Sequence, residues 1–125
     1  MTMQFDHLQL AIPAGGEDRA RRFWGDLMGF VEEPKPGPLV ARGGCWFRKG
    51  DFRLHLGVDA PFQPQRKAHP AFVVADLDDL AARLEAAGHP VKWDHALPDR
   101  RRFYASDPFG NRLEFIHAGD GFAER

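Results

Sequence analysis

Between residues 5 and 12 apolar and polar side chains alternate. Leu8, Leu10 and Ile12 fall on one face and Phe5, His7 and Gln9 on the other, the two-residue period of a half-buried strand. The period then changes. Ala20, Phe23, Trp24, Leu27 and Met28 recur at helical spacing, an apolar stripe able to cover the aliphatic face of that strand, and Gly29 is placed to end the helix. Trp24 belongs to this stripe and reads as core. After a loop over 34–38, short strands are expected at 39–42, Cys45–Lys49 and Phe52–Val58, divided by Gly43-Gly44 and Gly50-Asp51 turn signals. A stretch with Pro61 and Pro64, 59–67, reads as a linker.

The order strand, helix, three strands then starts again. A strand is expected at 69–75. Asp76 suits an N-cap for a helix carrying Leu77, Leu80, Ala81 and Leu84 up to Gly88, and strands follow near 91–93, Arg102–Ser106 and Arg112–His117. Asp107-Pro108-Phe109-Gly110-Asn111 supplies the last hairpin turn, and a charged, glycine-containing tail begins at Gly119. The two runs are copies of one unit, 1–58 and 68–118. Arg53-Leu54-His55-Leu56 and Arg112-Leu113-Glu114-Phe115 lie 59 positions apart, Gly29 and Gly88 also 59, and His7 and His69 62. A half of this length buries too little surface to stand alone, so each is expected to fold against a partner.

The repeat places His7 and His69 on opening strands and His55 and Glu114 on closing strands, all on the face turned away from the helices. A single strand histidine is ordinarily a hydrogen-bonded or surface group. Three imidazoles and a carboxylate at equivalent positions make a divalent-metal site a serious reading. His89, His95 and His117 have no repeat equivalents and read as structural or solvated. Trp46, Arg48 and the run Arg100-Arg101-Arg102 are candidates for binding an anionic substrate group, although charge runs are usually solvated.

Composition narrows the classes. With 43% hydrophobic and 28% charged residues in 125, and a net charge of −1, the chain reads as one ordinary globular domain without the basic footprint of a nucleic-acid partner. No apolar run approaches a membrane span, and no secretory signal is visible at 1–6, so a cytoplasmic location is expected. Cys45 is the only cysteine, so no intrachain disulfide can form.

Several strings carry a family likeness: Phe5-Asp6-His7-Leu8; Arg22-Phe23-Trp24 with Leu27-Met28-Gly29-Phe30; His69-Pro70-Ala71-Phe72-Val73-Val74; and Phe103-Tyr104 with Asp107 through Glu114. In these the chain resembles the vicinal oxygen chelate superfamily, which includes glyoxalase I, extradiol dioxygenases, methylmalonyl-CoA epimerase, fosfomycin-resistance transferases and bleomycin-binding proteins. The resemblance implies an α+β fold of two βαβββ modules, with curved mixed sheets around a central metal cavity. It implies one divalent ion (Zn, Ni, Fe, Mn or Co) on His7, His55, His69 and Glu114, a small-molecule substrate and a homodimer. Modules could pair within one chain or between two. His55 stands where glyoxalase I has a glutamate and the epimerase a glutamine; His7, His69 and Glu114 reproduce the dioxygenase set. The resemblance further implies Tyr104 as a cavity group able to donate to a substrate oxygen. Gln9 stands where the fosfomycin enzymes have a threonine. Catalysis is expected from Glu114 and Tyr104, and substrate binding from Gln9, Trp46, Arg48 and Arg102. The expected activity is a glyoxalase-like lyase or isomerase; the alternatives are an Fe(II) extradiol-type dioxygenase and a drug-sequestering binding protein.

Overall fold

The computed structural model describes residues 1–119. It divides into two compact units, 1–63 and 64–125, so the boundary falls inside the expected linker. The expected tail lies, apart from Gly119, outside the described residues.

In the first unit the elements are β1 (Leu8–Ile12), α1 (Glu17–Ala20) continuing into a π-helical stretch (Arg21–Leu27), β2 (Val31–Glu33), α2 (Gly37–Val40), β3 (Cys45–Lys49) and β4 (Phe52–Val58). The sheet order is β1-β4-β3-β2, with β1 parallel to β4 and the other pairs antiparallel. The parallel pair needs the helical crossover between its strands. That crossover buries Phe23 and Trp24, and the Trp24 indole meets Phe23 and Phe30 edge-on, at 5.0 and 5.2 Å between centroids. Leu10, Ile12, Leu54 and Leu56 supply the sheet side of this core.

The second unit comprises β5 (Ala71–Val74), α3 (Leu77–Ala86), β6 (Lys92–Asp94), β7 (Arg102–Ser106) and β8 (Arg112–His117). Its order, β5-β8-β7-β6, and its one parallel pair, β5 with β8, repeat the first sheet. Asp76 caps α3 as expected, its carboxylate accepting from the Asp79 amide at 3.0 Å. Leu77, Leu80, Ala81 and Leu84 are buried. The paired βαβββ modules are therefore present, in the α+β class.

Two expectations need correction. The strand expected at 39–42 is absent: α2 occupies Gly37–Val40, with a proline in its first turn, where a missing amide hydrogen costs nothing. The outer strand is instead Val31–Glu33, paired with Trp46 to Arg48. The opening strands are also shorter than expected. Regular pairing begins at Leu8 and Ala71, so His7 and His69 sit on the segments just before β1 and β5. Gly44 shows why a glycine closes the turn into β3. Its φ is +81°, and a Cβ there would lie 2.0 Å from the Leu56 carbonyl oxygen.

Candidate functional site

In the first unit the three rings expected from the sequence meet in a ladder. β3 and β4 place Trp46 opposite His55, and the indole lies 3.8 Å from the imidazole with 3° between the planes. The His7 ring covers the other side of His55 at 4.0 Å and 22°. His55 is consequently buried, and burial first, with the charge of His7 second, lowers its pKa, so it is held as a neutral imidazole. His7 receives an orienting partner that the alternation pattern did not reveal. Its Nδ1 lies 2.7 Å from Asp6 Oδ2, and this hydrogen bond lowers the Asp6 pKa. A carboxylate can only accept, so Nδ1 carries the hydrogen and Nε2 presents its lone pair. Two parallel stacked rings do not aim both lone pairs at one point; His7 and His55 would have to turn relative to each other to share an ion.

In the second unit the carboxylate and the imidazole do converge. Glu114, buried on β8, lies with Oε1 2.9 Å from His69 Nε2, while Arg102 Nη1 donates to Oε2 at 3.2 Å. His69 Nδ1 lies 2.8 Å from the Lys67 carbonyl oxygen, which can only accept and therefore fixes a hydrogen on Nδ1. A close Nε2 to Oε1 contact then requires a proton between two groups that otherwise face each other with lone pairs. A divalent cation satisfies the same pair by replacing that proton. On this donor chemistry the residues fit a metal, and the backbone carbonyl behind His69 is the usual outer support of a ligating histidine. Among the described residues no group of three or more His, Cys, Asp or Glu side chains is gathered as a metal cluster. The four expected ligands occur as two pairs, one in each unit.

Tyr104 stands directly opposite Glu114 in the β7–β8 register and meets the His69 ring edge-on at 5.5 Å. Arg102 sits diagonally from Glu114 and also reaches Asp94 at 3.5 Å. Its two terminal nitrogens thus face the Glu114 and Asp94 carboxylates. Among the described residues neither Arg112 nor Arg53 pairs with Glu114; Arg53 lies near Glu33, at 3.8 Å. Gln9 is exposed on β1, and its amide packs over Gly57, where a Cβ would come within 2.9 Å of it. Arg48 is exposed opposite Arg53. Cys45 is buried, and burial pushes its thiol up to about 11.

Two four-stranded mixed sheets of βαβββ form, each carrying metal-competent residues on the face away from its helix, define the vicinal oxygen chelate superfamily. Within it the chain belongs to the glyoxalase-like domain family, whose model matches residues 9–116. The chain is similar to a glyoxalase family protein from Bacillus anthracis, with 48% identity, a TM-score of 0.88, and coverage of 94% of this chain and 96% of that one. It shares its fold with a mutant of the fosfomycin resistance protein from Listeria monocytogenes solved with Mn(II) and dihydroxypropylphosphonic acid. There the identity is 16% and the TM-score 0.80, over 96% and 95% of the two chains. A glyoxalase/dioxygenase from Nostoc punctiforme gives 19% and 0.75, over 94% and 92%. No curated protein matches the sequence. No helix is long and apolar enough to cross a membrane.

Proposed function

We propose that this protein is a metal-dependent, glyoxalase-like lyase or isomerase acting on a small substrate with oxygens on adjacent carbons. The observation that carries the reading is the His69–Glu114 pair, whose facing lone pairs can take a divalent cation in place of the proton between them. His7, His55, His69 and Glu114 would be the ligands of a divalent ion, in a protein that acts as a homodimer. When bound, such an ion chelates adjacent oxygens and stabilises the negative charge that builds as a proton leaves the carbon beside a carbonyl. The relative from Listeria, solved with Mn(II), supports a divalent ion on this fold.

The remaining chemistry belongs to the chain. Glu114 is the only carboxylate in the set and accepts the substrate proton, while Arg102 fixes its second oxygen. The Tyr104 hydroxyl donates to a substrate oxygen. Asp6 and the Lys67 carbonyl hold the tautomers of His7 and His69. Gln9, Trp46 and Arg48 line the approach in the first unit. A cytoplasmic location fits the single buried thiol.

A second reading rests on the ring ladder. If His55 stays stacked between Trp46 and His7, the set reduces to His7, His69 and Glu114, two histidines and a carboxylate as in non-haem Fe(II) oxygenases. Metal content by plasma mass spectrometry, on protein purified without added metal, separates the readings. Near-stoichiometric metal that falls in His55→Ala supports the four-ligand lyase, with 1,2-dicarbonyls as first substrates. Metal kept without His55, together with oxygen uptake on catechols, supports the oxygenase. Absence of metal after reconstitution refutes both and leaves a sequestering protein.

A further inference from the structure

The second sheet carries a cation that the proposed chemistry leaves unused. Arg102, Tyr104, Arg112 and Glu114 share the face opposite the buried Phe103, Ala105, Leu113 and Phe115. Of the two arginines, Arg102 is spent on Glu114 and Asp94. Arg112 is different. Its guanidinium carbon lies 4.0 Å from the centroid of the Tyr104 ring, and among the described residues no carboxylate pairs with it. Stacking on a ring face holds a guanidinium flat while leaving its N–H donors free around the rim, in the fork that matches an oxyanion. The side chain is half-buried rather than waving in solvent, so most of the ordering needed to bind is already done. Its place is equally specific. Arg112 stands two residues along β8 from Glu114, which for an extended strand is about 6.7 Å between backbone positions on one face.

We infer that Arg112, braced on Tyr104, is an oxyanion-binding residue that selects substrates bearing a carboxylate, phosphonate or phosphate a few bonds from the oxygens chelated beside Glu114. This rests on the proposed metal-dependent function and narrows its substrate class to anionic vicinally oxygenated molecules. It also separates the work of two adjacent arginines: Arg102 positions the carboxylate, whereas Arg112 holds the substrate.

Two probes that chelate alike and differ in charge test the assignment. Acetohydroxamic acid is neutral at its far end, and succinic monohydroxamic acid carries a carboxylate. Titrated calorimetrically into Mn(II)-loaded protein, the wild type should favour the anionic probe by about tenfold, the worth of one charge-assisted contact. Arg112→Gln should abolish that preference while binding acetohydroxamic acid and Mn(II) as the wild type does, and Arg112→Lys should restore part of it. An unchanged preference in Arg112→Gln overturns the assignment. An equal loss for both probes also overturns it, because Arg112 would then act on the metal pair. If neither probe binds the wild type, the metal-dependent function fails, and inorganic phosphate titrated into metal-free protein judges Arg112 alone. Binding about tenfold weaker in Arg112→Gln keeps the oxyanion site; equal binding removes it.

Discussion

Asn111→Ala should be among the most damaging single changes outside the apolar core, and its cost should depend on pH. The Asn111 side chain is buried at 0% exposure in the turn between β7 and β8. Its Nδ2 donates to Asp107 Oδ2 at 2.9 Å, and its Oδ1 accepts from the Gln65 amide at 3.0 Å. Truncation removes a hydrogen bond to a buried carboxylate, worth about 1.5–3 kcal/mol, and leaves a partly buried amide unpaired for about 1 kcal/mol more. The expected loss is therefore about 2.5–4 kcal/mol at neutral pH. The bonds from the Phe109 and Asn111 amides to Asp107 Oδ1 survive, since they use backbone donors.

The pH dependence follows from Asp107. Burial raises its pKa above the usual carboxylate value, and the Asn111 side chain is the largest influence holding it down. A carboxyl whose pKa is raised on folding binds more protons in the folded state, so stability falls as pH rises from the unfolded pKa through the folded one. Above the folded pKa the penalty is constant, and below the unfolded pKa it vanishes. Removing Asn111 lifts the folded pKa further and enlarges the penalty at neutral pH. Urea unfolding of wild type and variant, both metal-free, should give a larger difference at pH 7 than at pH 4.5, by about 1.4 kcal/mol for each unit of additional shift. A difference below about 1 kcal/mol, or one equal at the two pH values, would refute the reasoning, because Asn111 would then be a spacer rather than the partner of a buried charge.

Asp6→Ala should weaken metal binding by about tenfold or more through loss of the Nδ1 partner of His7, measured by competition with a chromogenic chelator; unchanged affinity would remove Asp6 from the site. Glu114→Gln should lose bound metal and turnover together, and a variant that kept both by mass spectrometry and assay would end the proton-accepting role. Gly44→Ala forces a methyl against the Leu56 carbonyl at a positive φ and should lower stability by about 2 kcal/mol or more in urea unfolding, whereas less than about 0.5 kcal/mol would mean the turn can move. Cys45 should resist a thiol reagent at pH 8 until the protein is unfolded, because burial holds the thiol protonated; rapid labelling of the native protein would contradict that burial.

The two-residue alternation located β3, β4, β7 and β8, since each has one apolar face against the core. Val31–Glu33 escaped because an outer strand of three residues with two glutamates offers no alternation to read. The site was legible as positions and not as partners. Repeat spacing singled out His7, His55, His69 and Glu114. That Glu114 is held by Arg102 rather than Arg112 depends on cross-strand register, with Tyr104 opposite and Arg102 one diagonal away. Asp6 was invisible for a simpler reason: residues next to each other in a strand point to opposite faces, so the pattern argued against a contact that the irregular backbone before β1 permits.

The same register explains how two copies of one unit acquired different chemistry without a different fold. On the closing strand of each copy one face position looks across at an aromatic residue on the neighbouring strand, Trp46 for His55 and Tyr104 for Glu114. With an imidazole at that position the aromatic stacks, excludes water and keeps the ring neutral, which suits a ligand that must offer a lone pair. With a carboxylate the aromatic cannot stack, so ion pairs take over: Arg102 and His69 hold the charge, and Tyr104 is left to brace Arg112. A His55→Glu exchange would thus bury a carboxylate against an indole with Arg53 turned to Glu33 on β2, and it would not recreate the Glu114 environment. The asymmetry of the proposed ligand set is built into the strands beside it as well as into His55 and Glu114 themselves.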